Sequence, residues 1–190
     1  MASPVSTGLT YADLERLPDD GLTRELIDGD LYVTARPVRR HQYVAGRITR
    51  RLLDYTDEHG GEAYPEPGVY FSEVDYVAPD AVIVGPAKLA GLDERFVDAS
   101  PDLVVEVSSP TTRRVDLVRK RALYERERVA EFWFVDLDAD RIEVYRLTGQ
   151  RYGRPALVGP GERLQPSHLP GLVVDVDDAL GLAGPREGAI

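Results

Sequence analysis

The sequence contains no cysteine, and this absence removes several kinds of chemistry at once. Disulfides, cysteine-held zinc, iron–sulfur clusters and thiol nucleophiles are all excluded. The histidines, His41, His59 and His168, are scattered along the chain, which argues against a histidine-rich metal cage. Any bound metal would therefore be held by oxygen ligands, which favours magnesium, manganese or calcium.

Long apolar runs are also lacking. No stretch approaches the roughly 18 residues that a membrane-spanning helix needs, and the start of the chain lacks the basic and apolar regions of a signal peptide. We therefore expect a cytoplasmic protein with no membrane partner. With 190 residues, 43% of them hydrophobic, we predict a single domain over 1–183 and a disordered tail at 184–190.

Positive charge is scarce overall but locally concentrated. The 23 basic residues face 33 acidic ones, and the net charge of −10 argues against a protein that simply coats nucleic acid. Between residues 36 and 51, however, six arginines and His41 occur without an acidic residue. Such a stretch is compatible with a surface that binds phosphates, and equally with an ordinary solvated helix face.

Hydrophobic periodicity predicts an α/β fold with a mixed sheet. The apolar spacing predicts helices over 39–58 and 112–126, with short helices after Thr10 and near 177–182. Asp28-Gly29 predicts a hairpin between strands 22–27 and 30–34. Further strands are predicted over 69–71, 81–84, 103–107, 131–136 and 141–146. The almost continuous apolar run 103–107 is typical of a buried central strand.

Acidic residues interrupt or flank three of these strands. Glu106 lies inside the run 103–107, where a carboxylate costs several kcal/mol to desolvate unless a cation, a metal or solvent compensates it. Asp80 precedes strand 81–84, and Glu25 lies in the first hairpin. Singly, each has an ordinary interpretation: an edge residue facing water, a turn former and an exposed hairpin residue. Together at one sheet edge, they would form an oxygen-ligand site for one or two Mg²⁺ ions.

Lysine is almost missing, since only Lys88 and Lys120 accompany 21 arginines. Lys120 shares a predicted helix face with Asp116 and Tyr124, at spacings of four residues. An ion pair with a packed tyrosine would explain this spacing. A lysine in so arginine-rich a chain also suggests chemistry, because an ammonium can orient or deprotonate a water and a guanidinium does not do so readily.

The ordered set of these residues resembles the PD-(D/E)XK nuclease signature and, more closely, the Uma-type restriction endonuclease family, many of whose members carry only a domain-of-unknown-function label. The resemblance runs from about residue 10 to residue 182. The matching segments are Arg24 to Leu31, Pro37 with His41, Pro79-Asp80, Pro101 to Pro110, Asp116 with Lys120 and Tyr124, and Val129 with Glu131 to Asp136.

Two positions depart from the family pattern. Position 108 is serine where the general signature has lysine; in the Uma-type pattern the lysine lies on the following helix, here Lys120. Arg128 stands where the family often has glycine, and we expect this to change a turn and not the chemistry. We assign Trp133 and Tyr124 to the core first, because large aromatic side chains are usually buried.

The resemblance implies a restriction-endonuclease-like core, in which helices flank a mixed central sheet, with an N-terminal β-hairpin. It implies a catalytic set of Glu25, Asp80, Glu106 and Lys120. In this set the three carboxylates would bind Mg²⁺ or Mn²⁺ and the lysine would position or activate the attacking water. The site would lie at one edge of the sheet.

The function implied is hydrolysis of phosphodiester bonds in DNA. The basic stretch would then face DNA, with His41, Arg47 and Arg51 as candidate phosphate contacts, and a homodimer would suit cleavage of both strands. Two alternatives stay open. The missing lysine at position 108 and the acidic body suit a catalytically silent module that binds nucleic acid or protein, and the acidic body also suits a phosphoesterase acting on a small molecule.

Overall fold

The structure, a computed structural model, describes residues 4–34, 37–109 and 112–182. The helices are α1 Tyr11–Leu14, α2 Arg39–His59, α3 Arg121–Arg126 and α4 Val176–Leu180, with a 3₁₀ turn at Pro86–Lys88 and a π-helical segment at Val115–Lys120. The strands are β1 Thr23–Ile27, β2 Asp30–Thr34, β3 Glu62–Pro65, β4 Val69–Ser72, β5 Asp75–Val77, β6 Ala81–Val84, β7 Leu103–Val107, β8 Glu131–Asp136, β9 Arg141–Thr148, β10 Arg151–Tyr152, β11 Ala156–Val158, β12 Arg163–Leu164 and β13 Val174–Asp175. The predicted tail at 184–190 lies outside the described residues, and within those residues no helix is long and apolar enough to cross a membrane.

The central sheet is mixed, as predicted. It runs in the order β10-β9-β8-β7-β6-β3, and β11 also pairs with β9. Its only parallel pair in the described residues is β7 with β8, and the region between these two strands holds the π-helical segment and α3. A parallel pair needs such a crossover, because the chain must return to the same end of the sheet. The crossover therefore places Lys120 beside the strand that carries Glu106.

Alternation along β7 and β8 divides the core into two layers. Leu103, Val105 and Val107 pack on the side of α2 and α4. Val104 packs with the aromatic residues of β8 and with α3 on the other side. Because side chains alternate with a period of two, Glu106 shares the face of Val104 and points into this second layer. The predicted core placement of Trp133 and Tyr124 is confirmed, since both are fully buried.

A second sheet supplies the N-terminal hairpin. It is antiparallel, in the order β2-β1-β5-β4, and its apolar residues Ile27, Tyr32, Val69 and Val77 join the layer that contains Val104. The predicted turn is present: Asp28 and Gly29 have φ values of 53° and 76°, as a tight turn between twisted antiparallel strands requires. This packing brings β1, and with it Glu25, to the face where Glu106 points.

The predicted regular helix over 112–126 is wrong in one respect. Residues Val115–Lys120 are π-helical, and the Arg121 N–H donates to the Asp116 carbonyl, five residues back. Apolar periodicity gives no signal for this widened turn, in which Asp116 and Lys120 are buried.

The sequence prediction also missed β3, β5 and the short strands β10 to β13, because runs of two to four residues are too short to show a period.

Replacing Gly29 by alanine is expected to destabilise the protein by about 1–2 kcal/mol, because a side chain at positive φ is strained. A Cβ there would also approach the Leu9 carbonyl oxygen to 3.2 Å. Urea unfolding measures the change. Gly153→Ala is the control: a Cβ at that position meets nothing within 4 Å, and a loss of less than about 0.5 kcal/mol is expected. Equal effects at the two positions would contradict the account of the turn.

Candidate active site

A buried ammonium lies where the two sheets and the crossover helix meet. The Nζ atom of Lys120 is 2.7 Å from Glu25 Oε1, 3.0 Å from Glu106 Oε1 and 3.6 Å from Asp116 Oδ1. These partners come from β1, from β7 and from the helix that carries the lysine. The lysine is 4% exposed. Three of the four residues in the predicted catalytic set, Glu25, Glu106 and Lys120, are thus in direct contact.

Glu106 is buried inside the protein. The alternative interpretation of Glu106 as an edge residue that faces water is therefore wrong. Glu106 is 3% exposed, and its Oε1 atom accepts hydrogen bonds from Lys120 Nζ and, at 2.6 Å, from the Tyr124 hydroxyl. Tyr124 is therefore both a core residue and a partner of the site. The sequence signal for this contact was the spacing of Lys120 and Tyr124, four residues apart on one helix face.

Asp80 lies immediately before β6, the strand next to the one that carries Glu106. Ala81, the first residue of β6, pairs with Val105, the residue before Glu106. The Val107 N–H donates to Asp80 Oδ2 at 2.7 Å, and His41 Nε2 lies 3.3 Å from Asp80 Oδ1. With its side chain 12% exposed, Asp80 is more open to solvent than Glu25, Glu106 and Lys120. The site therefore has a closed end at Lys120 and a more accessible end at Asp80.

Glu25 lies on the hairpin, which ion pairs hold against the crossover helix. The Oε1 atom of Glu25 also accepts a hydrogen bond from the Ala78 N–H at 2.8 Å. Arg126 pairs with Asp28 at the hairpin turn, at 2.7 Å, and with Asp75 of β5, at 2.8 Å. Arg119 pairs with Asp30 at 2.9 Å. Because both arginines flank Lys120 and Tyr124 on the crossover helix, these pairs tie the hairpin to the element that carries the lysine.

Negative charge exceeds positive charge in this site. Carboxyl groups from Glu25, Asp80, Glu106 and Asp116 share one ammonium and one imidazole. Burial raises the pKa of Glu106 well above its ordinary value, although Lys120 opposes the change. Burial likewise raises the pKa of Asp116 to about 6. Protonation of one of these carboxyl groups reduces the excess of negative charge in the site.

The two cationic groups respond in the opposite way. Burial alone would lower the pKa of the Lys120 ammonium, but the charges of Glu106, Glu25 and Asp116 outweigh burial and raise it well above the ordinary value. Burial alone would also lower the pKa of His41. The hydrogen bond and the charge of Asp80 outweigh burial, so the pKa of His41 is raised above its ordinary value. Lys120 is therefore an ammonium at neutral pH.

The donor set fits a hard divalent cation. All candidate ligands are carboxylate oxygens, and the buried Oδ1 atom of Asp116 has no hydrogen-bond partner. In the described part of the chain, no three acidic or histidine side chains are already arranged to hold a metal ion. The carboxylates of Glu25 and Glu106 instead converge on the Lys120 ammonium, so a metal would have to share or replace that contact.

Ser108, at the position where the general signature has lysine, has a structural role here. It is 3% exposed, and its hydroxyl accepts a hydrogen bond from the Leu137 N–H at 2.9 Å. The hydroxyl therefore helps to fix the end of β7 against the turn after β8. The only lysine side chain that reaches the carboxylates in the described residues is Lys120.

The candidate phosphate contacts lie in two different places. His41 lies beside Asp80, inside the site. Arg47 and Arg51 lie further along α2, where they pair with Asp178 of α4 at 3.1 and 3.5 Å. These pairs attach α4 to α2. Contact of the three residues with phosphate stays a prediction. Arg50, which the basic stretch also contains, is exposed on the same helix.

Comparison with known proteins agrees with the fold and with the family resemblance. The family model Uma2, described as "Putative restriction endonuclease", matches residues 11–177. The chain belongs to the Uma2 family. A solved structure, titled as a putative nuclease belonging to DUF820 from Anabaena variabilis, is similar with a TM-score of 0.76 and 15% sequence identity, covering 92% of this chain and 98% of that one. No curated protein matches.

The Uma2 chain therefore has the predicted restriction-endonuclease-like α/β fold, with a mixed central sheet and flanking helices. Asp116 is the residue that sequence reasoning undervalued. It belonged to the recognised pattern, but no role was predicted for it beyond an ion pair with Lys120. Only the fold shows that it is 1% exposed and lies near the same ammonium as Glu25 of β1 and Glu106 of β7.

The charge excess predicts a pH dependence of stability in the presence of a chelator. The raised pKa of Asp116 means that folding favours its protonated form, so the destabilisation grows as pH rises from the ordinary value of 3.8 through about 6. The raised pKa of His41 adds stability that is complete below 6.5 and is lost as pH rises through the folded value.

We therefore expect the free energy of unfolding to fall by about 1 kcal/mol between pH 5.5 and pH 8 in EDTA. Urea unfolding at the two pH values measures this difference. Asp116→Asn is expected to show a smaller fall, because it lacks the titrating carboxyl group. A wild-type protein that is more stable at pH 8 than at pH 5.5 would contradict the proposed charge balance.

Proposed function

We propose that this Uma2 protein is a divalent-metal-dependent endonuclease that hydrolyses phosphodiester bonds in DNA. The observation that carries the proposal is the excess of buried carboxylates around Lys120, which a dication would neutralise. The family match and the similar nuclease structure support phosphodiester hydrolysis over other metal-dependent chemistry. A homodimer and a cytoplasmic location stay predictions.

The proposed metal ligands are Asp80, which immediately precedes β6, and Glu106 on the neighbouring strand β7, with Glu25 as a further carboxylate. A bound Mg²⁺ or Mn²⁺ would polarise a phosphoryl oxygen, lower the pKa of a bound water and offset the charge that develops on the attacked phosphate. The more exposed side chain of Asp80 marks the end of the site from which substrate would approach.

The chain's own residues have separate roles in this proposal. Lys120 keeps its proton, because the surrounding carboxylates raise the pKa of Nζ; its ammonium can therefore orient a water or stabilise a phosphate oxygen by donating a hydrogen bond. Tyr124 fixes the carboxylate of Glu106 by donating to Oε1. The Val107 N–H and His41 hold the two oxygens of Asp80. Such contacts keep the ligands oriented before substrate binds.

Supercoiled plasmid DNA incubated with Mg²⁺ or Mn²⁺ tests the proposed activity. The wild-type protein is expected to nick or linearise the plasmid, and Glu106→Gln and Asp80→Asn to lower the rate by at least about a hundredfold. Glu143→Gln is the matched control. Glu143 is a buried carboxylate on β9 that pairs with Arg141 and Tyr145, away from Lys120, so its substitution is expected to leave the rate within about threefold.

The same assay separates the alternatives. A wild-type rate of plasmid cleavage no higher than that of Glu106→Gln would contradict the nuclease proposal. Calorimetry would then show whether the fold is a silent module, which binds no Mg²⁺ through Asp80 and Glu106. Cleavage of a small chromogenic phosphodiester without cleavage of DNA would instead identify a small-molecule phosphoesterase.

The basic surface of α2 predicts a salt-dependent contact with DNA. Arg50 is exposed and has no ion pair among the described residues, whereas Arg47 and Arg51 are engaged by Asp178. Arg50→Gln is expected to weaken DNA binding and to reduce the slope of log affinity against log salt by about 1, because one phosphate contact is lost. Fluorescence anisotropy in Ca²⁺ between 50 and 200 mM salt, about the range where such contacts show, measures the slope.

Arg154→Gln is the control for this experiment. Arg154 is exposed in the loop after β10, the strand at one edge of the central sheet. An unchanged slope for Arg50→Gln would remove α2 from the proposed DNA interface. It would leave the proposed chemistry of the carboxylates untouched.

A further inference from the structure

Asp116 is a component of the site that the proposed chemistry does not use. It is 1% exposed, and its Oδ1 atom has no hydrogen-bond partner although it lies 3.6 Å from Lys120 Nζ. This distance is longer than a hydrogen bond, which spans roughly 2.7–3.2 Å. A buried carboxylate oxygen without a donor is costly, so the arrangement needs a reason.

The other two partners of Lys120 are already occupied. Glu106 Oε1 accepts from both the Tyr124 hydroxyl and the ammonium. Glu25 Oε1 accepts from the Ala78 N–H in addition to its contact with Nζ. An ammonium has three donors, and the buried Oδ1 atom of Asp116, which has no hydrogen-bond partner, has room for the third.

A divalent cation on Glu106 would compete with the ammonium for the same carboxylate. Two cations on one carboxyl group repel each other strongly in a buried site, because the effective dielectric constant there is low. The ammonium would then move toward the acceptor that does not bind the cation. Asp116 lies four residues before Lys120 on the same helix, so a small side-chain movement closes the remaining gap.

We propose that Asp116 is a positioning residue, which receives the Lys120 ammonium when Glu106 binds a divalent cation. This movement of the ammonium from Glu106 to Asp116 leaves Glu106 free to bind the cation and keeps the amine beside the reacting phosphate. This inference rests on the proposed function, since it requires a cation at Glu106. It assigns Asp116 to Lys120 and not to the metal.

A double-mutant cycle on Mn²⁺ binding tests the proposal. Calorimetry with Mn²⁺ alone compares the wild-type protein with Asp116→Asn, Lys120→Gln and the double variant. Asp116→Asn is expected to weaken Mn²⁺ binding about five- to tenfold, because the ammonium then stays on Glu106. Lys120→Gln is expected to bind Mn²⁺ at least as tightly as wild type, because the competing cation is gone. In the Lys120→Gln background, adding Asp116→Asn is expected to change the affinity less than about twofold.

Two further variants separate this role from a general loss of charge or of structure. Glu143→Gln removes a buried carboxylate that pairs with Arg141 and Tyr145 and does not contact Lys120, and it is expected to leave the Mn²⁺ affinity within about twofold. Asp116→Glu keeps the carboxylate and is expected to restore most of the affinity. If Asp116→Asn does not fold, Lys120→Gln alone still tests the inference, because weaker Mn²⁺ binding by that variant would overturn it.

The outcomes distinguish this inference from the proposed function. Equal weakening by Asp116→Asn with and without Lys120 would show that Asp116 acts on the metal directly, and would overturn the inference alone. Weaker Mn²⁺ binding by Lys120→Gln would do the same, because the lysine would then assist the metal site. A wild-type protein that binds no Mn²⁺ would overturn both the inference and the metal-dependent function.

Discussion

The buried ammonium of Lys120 is the interaction on which the rest of the structure depends. It joins a strand of the hairpin sheet, the central strand β7 and the crossover helix, because carboxylates from all three lie within 3.6 Å of it. Removing one partner of a buried ion pair leaves an uncompensated charge and costs about 3–5 kcal/mol. The relative placement of these three elements is therefore fixed by charge as well as by apolar packing.

The same cluster works against stability in one respect. Four carboxyl groups face one ammonium and one imidazole, and burial raises the pKa of Glu106 and of Asp116. An apolar core at this position would avoid that cost. Polar groups that are retained in a core at such a cost are typical of functional sites, where local strain is balanced by the stability of the surrounding fold.

Arginines in this chain serve mainly as partners for its own acids. Arg113 pairs with Asp136, Arg146 with Glu131, and Arg126 with Asp28 and Asp75. A count of basic residues along the sequence therefore overestimates the surface available to a polyanion. The overall charge of −10 and the net charge of the surface around the site are different quantities, and the second is the one that matters for DNA.

The sequence by itself determined the main strands, the hairpin turn, the long helix α2 and the family, because period-two and helical spacing, Asp-Gly and the ordered acidic motif are all local signals. It also singled out Glu25, Glu106 and Lys120. Only the tertiary structure decided that Lys120 contacts both glutamates, that Arg47 and Arg51 pair with Asp178, and that Asp116 is buried beside the lysine. Distances between residues far apart in the chain depend on how sheets and helices pack, and no local pattern encodes them.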